Sequence, residues 1–533
     1  MMITGQNNLG GRWVAAGDSQ FTGFNPHTRQ PTEWTFTDAT EDEVAQAVEL
    51  AVEAFKTTRN LPTQTRALFL ERAASEIEAL GDTLLEITDT ETGLGMVRLR
   101  GELARTTNQL RAFAALLREG SFVDAIIDTA LPNRTPAPRP DIRRMSFPVG
   151  PVAVFTPNNF PFAFGTAGGD TASALAAGCP VIVKGHPSYP ATSELIAGAI
   201  TQAVEASGLP AGYFAFLQGS QIEVGQALVR QTGLRAIAFT GSYRGGRAIM
   251  DAAASRPHPI PVFAEMGSLN PILLLPGAIA ASPDRLADGL VGSVTGGSGQ
   301  FCTKPGLVFI LKDNSAFIEQ FSRKMQEKQP AVLLNEAVER GLKTGVAETA
   351  KNDAVILRTG GTPIEDAGYC FANTVMQTTA AAFLNDQNLQ REHFGPVTMF
   401  VVCDSLDGMT AAVEGLEGNL TAAIHATEDE LETAGALFDL LREKAGRLLL
   451  NGFPTGVEVV HSMVHGGPFP ATSASGTTSV GVTAIRRFLR PVAFQNLPDR
   501  LLPEALQNAN PLNIWRIVDN AMTRDSIPRA GAE

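Results

Sequence analysis

Residues 151–185 read PVAVFTPNNFPFAFGTAGGDTASALAAGCPVIVKG. Two short apolar runs, PVAVFTP (151–157) and CPVIVKG (179–185), flank a segment of small residues, 165–178, that suits a helix. A continuous apolar run without alternation marks a strand covered on both faces. The pattern continues through YFAFLQG (213–219), LRAIAFTG (234–241) and PVFAEMG (261–267), with a further helix-compatible stretch at 192–207. Strand–helix alternation at this spacing predicts an α/β fold with a parallel sheet and right-handed crossovers. Ligand contacts are then expected at the carboxyl ends of the strands.

Outward from this block, a second α/β stretch is expected over 268–460. It contains strand GLVFILKD (306–313), helix 314–327, strand MFVVCDS (399–405), helix 428–443 and strand GRLLLNG (446–452). Toward the N-terminus, Thr40 and Glu43 followed by Val44, Val48, Ala51 and Phe55 predict a capping box opening an amphipathic helix. Residues 68–80 and 103–117 predict two more helices. Pro132, Pro136, Pro138, Pro140 and Pro148 forbid a helix between 128 and 148 and predict an extended arm or linker. The tail AIRRFLRPVAFQNLP (484–498) predicts an edge strand.

At 533 residues the chain can bury two or three cores. Its 42 basic and 55 acidic side chains leave a formal charge of −13, which argues against nucleic-acid and anionic-membrane partners. The four cysteines, 179, 302, 370 and 403, share no C-x-x-C spacing, so neither a metal site nor a disulfide framework is expected. The first residues lack a signal-peptide pattern and no long apolar run appears, so a reducing cytoplasm is the expected location.

Five short stretches carry candidate chemistry. GGSGQFCTKPG (296–306) sets Cys302 on a glycine-rich turn, where backbone N–H dipoles favour a thiolate; the same setting also suits an inert free cysteine. Cys179, Cys370 and Cys403 fit the inert role. FAEMGSLNP (263–271) ends a strand on Glu265, a carboxylate whose burial would raise its pKa toward that of a general base, or which caps a turn or joins a buried ion pair. TPNNFPFAF (156–164) places Asn158 and Asn159 at a strand end, where an amide can hold an oxyanion or simply build a turn; Asn158 fits the turn. FTGSYRGG (239–246) puts Gly241 and Ser242 at a helix start, suited to a pyrophosphate or to capping alone. REHFGPV (391–397) offers Glu392 and Phe394, by themselves a loop charge and a core ring. The G-x-G-x-x-G fingerprint is missing after the first strand, so the usual Rossmann dinucleotide mode is not expected.

Taken in order, PNNFP, VIVKG, FTGSYRGG, EMGS, GQFCTKPG, EHFGPV and HGGPFPATSASG resemble the aldehyde dehydrogenase superfamily across essentially the whole chain. The resemblance implies two parallel-sheet α/β domains with a small oligomerisation arm. The dinucleotide-binding domain would be 1–127 plus 149–267, the catalytic domain 268–460, and the arm 128–148 plus 481–498. It implies a homodimer or homotetramer acting on a small aldehyde. It further implies that Cys302 attacks the aldehyde, that Asn159 and the Cys302 N–H hold the oxyanion, and that Glu265 activates water on the thioester. Lys184 completes the chemical set. Thr156, Pro157, Lys184, His186, Pro187, Gly241, Ser242, Gly246, Glu392 and Phe394 would hold NADP or NAD.

Two departures from the family pattern carry information. The usual Trp-Asn-Phe-Pro is here Asn158-Asn159-Phe160-Pro161, which keeps the oxyanion amide. After Lys184 the usual Pro-Ala/Ser-Glu becomes Gly185-His186-Pro187, removing the carboxylate that grips the adenine ribose and favouring NADP. Within the superfamily, residues 167–194 and 297–307 are most similar to α-ketoglutarate semialdehyde (2,5-dioxovalerate) dehydrogenases. The same branch is similar to an NADP-dependent fatty aldehyde dehydrogenase. Phe160, Phe162, Phe164, Phe301 and Phe469 would then line an apolar aldehyde tunnel, unless they are core. A CoA-acylating enzyme would dispense with Glu265, and a non-catalytic member would have no need of Cys302, Glu265, Asn159 and Lys184 together.

Overall fold

The computed structural model describes residues 2–365 and 368–528. The first sheet runs in the order Val262–Glu265, Ala236–Thr240, Val152–Phe155, Val181–Lys184, Phe214–Leu217, Asn7–Leu9, Arg12–Val14. The five strands read from sequence are mutually parallel. Two N-terminal strands, which the sequence reading did not find, extend the sheet antiparallel. Period-two alternation sorts these strands into two cores. Val152, Val154, Val181, Val183, Phe214 and Phe216 face the helices Thr63–Glu78, Met96–Glu119, Gly169–Ala177 and Pro190–Ala206. Ala153, Phe155, Ile182, Ala215, Leu217 and Ile237 face Glu41–Thr58, Ile222–Arg230 and Tyr243–Ala254. This two-sided burial is why the strands read as unbroken apolar runs.

Strand order reverses between Val152–Phe155 and Ala236–Thr240, which opens a crevice at their carboxyl ends. Thr156–Asn159 and Gly241–Ser242 flank that crevice. The expected capping box is present: the Thr40 side chain accepts from the Glu43 N–H while the Glu43 carboxylate accepts from the Thr40 N–H. The helix predicted at 68–80 starts earlier and ends sooner, at Thr63–Glu78, the one at 103–117 extends to Met96–Glu119, and a helix at Gly81–Thr92 was not anticipated.

The second sheet orders Ile356–Thr359, Thr374–Thr379, Val397–Cys403, Leu307–Leu311, Ile272–Leu274, Asn419–His425 and Ala445–Leu450. It is parallel apart from its first pair. Cys403 faces one of its two cores and Cys179 faces the core of the first sheet, both fully buried. The third sheet joins Leu489–Gln495, Ile142–Pro148, Ile126–Asp128, Arg516–Val518 and Ala521–Thr523. The proline-rich arm therefore ends in a seven-residue strand, paired over its length with the predicted tail strand. The tail strand lies at an edge, as expected from the sequence; the pair Arg516–Thr523 was not foreseen.

The chain leading into the arm is fixed by an ion pair between Arg487 and Asp170 at 2.7 Å, both buried. Removing one member leaves the other charge unpaired in a low-dielectric interior. Asp170→Ala should therefore cost about 3–5 kcal/mol in urea unfolding. Glu71→Ala, which breaks the exposed pair with Arg118, should cost no more than about 1 kcal/mol. Equal effects would show that the Arg487 pair does not hold the arm.

Candidate active site

Cys302 stands between the helix Pro283–Thr295 and the strand Leu307–Leu311. Gly297, Ser298 and Gly299 before it have φ of 55°, 55° and 67°, left-handed values that turn the chain sharply. At Gly299 a Cβ would lie 2.1 Å from the Gly395 carbonyl oxygen, so this position admits only glycine. Behind the turn, the Asn270 amide donates to the carbonyls of Cys302 (2.8 Å) and Lys304 (3.0 Å). The buried Lys304 ammonium donates to the carbonyls of His393 (3.0 Å) and Val397 (2.7 Å). Together these bonds clamp the cysteine turn to the Glu392–Phe394 loop.

Asn159 is buried, and its side-chain amide donates to the Gln300 carbonyl at 2.9 Å. Its second N–H has no partner among the described residues, and neither does the backbone N–H of Cys302. A tetrahedral oxyanion needs donors of this kind, and the Gln300 bond holds the Asn159 amide against the chain two residues before Cys302. Arg98 holds the Asn159 segment from outside, donating to its carbonyl at 2.6 Å.

Glu265 ends its strand buried, with Oε2 unpartnered among the described residues. Burial, reinforced by Asp170 and opposed by Arg487, holds its carboxyl well above the usual carboxylate range. Burial and then the Glu265 charge push the Cys302 thiol up to about 12, opposed by Arg105. One neighbour was missed by the sequence reading: His465 Nε2 lies 3.3 Å from Cys302 Sγ. Burial, then Arg447, Arg105 and Arg487, lower the imidazole pKa to about 3, so the ring rests neutral. The contact sets a ring nitrogen against the thiol; with the imidazole near 3 and the thiol near 12 the proton rests on sulfur, and the ring can receive it only in concert with bond formation at sulfur. His465 heads the stretch HGGPFPATSASG, and that position was the only available signal.

At the crevice, the Lys184 amine donates to the Gly219 carbonyl, and burial lowers its pKa to about 8. Thr156 bonds the Lys184 carbonyl, and the Pro157 carbonyl accepts from the buried Tyr189 hydroxyl. Ser242 caps the helix Tyr243–Ala254, accepting from the Gly245 N–H at 3.2 Å. Gly246 packs under Met266, and Glu392 lies over Gly267, so the crevice and the cysteine share one wall. The buried Thr240 hydroxyl there is unpartnered among the described residues, and two Lys184 protons remain undirected. A polar anionic ligand fits this donor set. At His186, Nδ1 accepts from the Ser188 N–H, and burial and Lys184 lower its pKa to about 3. It offers a neutral Nε2–H rather than a cation. His186 stacks on Tyr189 beside half-buried Pro187, and Phe394 is half-buried next to the clamped loop.

A cavity of about 240 Å³ opens onto Cys302 and is walled by Phe160, Phe164 and Phe301. Phe162 instead packs wholly in the first core. Phe469 is also corrected: it is 49% exposed, stands edge-on to Tyr243, and is not part of this wall.

Residues 13–490 match the family model for the aldehyde dehydrogenase family. The chain belongs to the aldehyde dehydrogenase family. It is thus an NAD(P)-linked oxidoreductase acting on an aldehyde. It is 46% identical to alpha-ketoglutaric semialdehyde dehydrogenase 2 of Azospirillum brasilense, over 97% of this chain and 99% of that protein. It is 44% identical to alpha-ketoglutaric semialdehyde dehydrogenase of Acinetobacter baylyi, over 98% and 99%. Among solved structures, betaine aldehyde dehydrogenase of Staphylococcus aureus in complex with NAD+ shares the fold, with TM-score 0.79 at 19% identity over 93% and 98% of the two chains. So does 1-pyrroline-5-carboxylate dehydrogenase from Thermus with bound NAD, with TM-score 0.77 at 24% identity over 92% of each chain.

The Cys302–His465 contact is testable by alkylation. With the thiol near 12, labelling by iodoacetamide should rise with pH across the neutral-to-alkaline range, because only the deprotonated sulfur reacts. His465→Phe should slow Cys302 labelling at neutral pH by about 100-fold, the lower end of general-base contributions. Labelling at an unchanged rate would remove His465 from the proton path.

Proposed function

We propose that this chain oxidises 2,5-dioxopentanoate, the semialdehyde of α-ketoglutarate, to 2-oxoglutarate, with NADP as the favoured acceptor. The observation that carries this reading is the full-length similarity to two proteins of that activity, joined to a centre of Cys302 with the buried Glu265 and Asn159.

His465 accepts the Cys302 proton as sulfur bonds to the aldehyde carbon. The Asn159 amide and the Cys302 N–H hold the resulting oxyanion. The dinucleotide, when bound in the crevice, supplies the hydride acceptor that leaves a thioester on sulfur. Lys184, with Thr156, Pro157, Gly241, Ser242, Gly246 and Glu392, binds and orients it, with Phe394 at its reactive end. Glu265 takes a proton from water, which adds to the thioester carbon; the C–S bond breaks and the acid departs, restoring the thiol. Because its pKa is raised, Glu265 is protonated at low pH and becomes a base as pH rises through that value. Thioester hydrolysis should follow the same direction. A CoA acceptor would leave this carboxylate without a task.

NADP is favoured because Gly185-His186-Pro187 brings no carboxylate to the ribose. Asp38, the acid that acts on Lys184, is already engaged by the Ser220 N–H and by the hydroxyls of Ser19 and Ser220. The edge strand Leu489–Gln495 supports assembly into a homodimer or homotetramer, since pairing it with a second copy would cover its free edge. No helix among the described residues is long and apolar enough to cross a membrane, and we place the enzyme in the cytoplasm. The ring wall of Phe160, Phe164 and Phe301 supports one second reading, a fatty aldehyde.

Kinetics decide among these readings. kcat/KM should be highest for 2,5-dioxopentanoate in a panel with succinic semialdehyde, glutaraldehyde and long-chain alkanals. It should be higher with NADP than with NAD. A long-chain optimum would replace the substrate reading, and a strong NAD preference would remove the cofactor reading.

A further inference from the structure

The cavity over Cys302 has one wall made by the helix Met96–Glu119, which contributes Arg98, Glu102 and Arg105. The first two are already engaged. Arg98 donates to the Asn159 carbonyl, approaches Glu102 at 3.7 Å, and lies over the rings of Phe160 and Phe301 at 5.1 and 4.8 Å. Glu102 Oε1 accepts from the backbone N–H groups of Phe162 and Ala163, both at 3.0 Å. Arg447, behind the cavity, is also committed, donating to the carbonyls of Gly456 and Pro454.

Arg105 is different. Its guanidinium lies over the Phe164 ring at 5.5 Å and makes no hydrogen bond or ion pair among the described residues. Nε and Nη2 are both buried and unpartnered. Leaving charge-bearing donors dry and unpaired is costly, and such groups are normally matched by an anion. The acids whose charge reaches Arg105 are Glu102, held by backbone N–H groups, and the exposed Glu458. The same guanidinium is close enough for its charge to act on the Cys302 thiol. A single small molecule in this cavity can therefore meet both.

We propose that Arg105 is the carboxylate anchor of the substrate site, gripping the carboxylate end of a short ω-aldehydo acid so that its aldehyde carbon reaches Cys302. This deepens the semialdehyde reading and rests on it. Arg105 Nε and Nη2 form a fork suited to a carboxylate, or to one carboxylate oxygen and the adjacent keto oxygen of an α-keto acid. Phe160, Phe164 and Phe301 enclose the methylenes between the two ends. The aromatic wall then sets chain width, and Arg105 selects for charge at a fixed distance from sulfur.

The test is a selectivity ratio: kcat/KM for 2,5-dioxopentanoate divided by kcat/KM for pentanal. Arg105→Met keeps most of the stem volume against Phe164 while removing the fork. Charge-assisted hydrogen bonds contribute roughly 10- to 100-fold in binding, so the ratio should fall by about that factor, mainly through KM for the semialdehyde. Arg105→Lys should restore part of the ratio, because charge returns without the fork. An unchanged ratio in Arg105→Met, whatever the absolute rates, would overturn the assignment. If the wild-type enzyme oxidises pentanal but not 2,5-dioxopentanoate, the substrate reading falls, and glutarate inhibition of pentanal oxidation then decides Arg105. Inhibition of the wild type but not of Arg105→Met would keep it as an anion site, and equal inhibition would not.

Discussion

Three successive left-handed residues, Gly297, Ser298 and Gly299, the last against the backbone of Gly395, fix where Cys302 can be. A non-glycine residue such as Ser298 in that conformation costs on the order of 1–2 kcal/mol, and surrounding contacts must hold it there. Those contacts are visible: Asn270 on the cysteine carbonyl, Lys304 on the carbonyls of His393 and Val397, and Gln300 Oε1 accepting from the Leu334 N–H at 2.9 Å. The turn thus couples the nucleophile, the oxyanion amide and the Glu392–Phe394 loop, although these groups come from distant parts of the chain. A change at Gly299 would displace all three.

The second constraint is dryness. Cys302, His465 and Glu265 all sit where burial is the largest influence on their ionisation, and each is pushed toward its neutral form. A centre built this way stores no standing charge between turnovers. Charge develops on sulfur, imidazole or carboxylate only as the reaction proceeds, opposite donors already in place. Standing charge lies around these three groups instead: the Arg487–Asp170 pair carries the arm's approach and tunes Glu265 from one side, and Arg105 acts on Cys302 from the cavity wall.

The parallel sheets were legible because both faces of each strand are buried, which writes continuous apolar runs into the sequence. Cys302, Glu265 and Asn159 were legible because each lies at the end of such a run or on a glycine turn, and the structure brings them together. His465 was not, because it belongs to an irregular segment and meets Cys302 across 163 positions of chain. Arg105 was hidden for the opposite reason: on an amphipathic helix it reads like any solvated arginine, and only the unpartnered guanidinium distinguishes it. The neutrality of His186 depends on burial and on Lys184, neither of which periodicity encodes. Phe469 carried a false signal, since a ring beside prolines reads the same whether it lines a cavity or packs on Tyr243 at the surface.

The division of labour between Cys302 and Glu265 is tested most directly by Glu265→Gln mixed with aldehyde and NADP, followed by intact-mass analysis and peptide mapping. A burst of reduced nicotinamide stoichiometric with active sites is expected, then slow turnover, with the acyl mass carried on Cys302. Steady turnover at the wild-type rate, or an acyl group absent from Cys302, would contradict it.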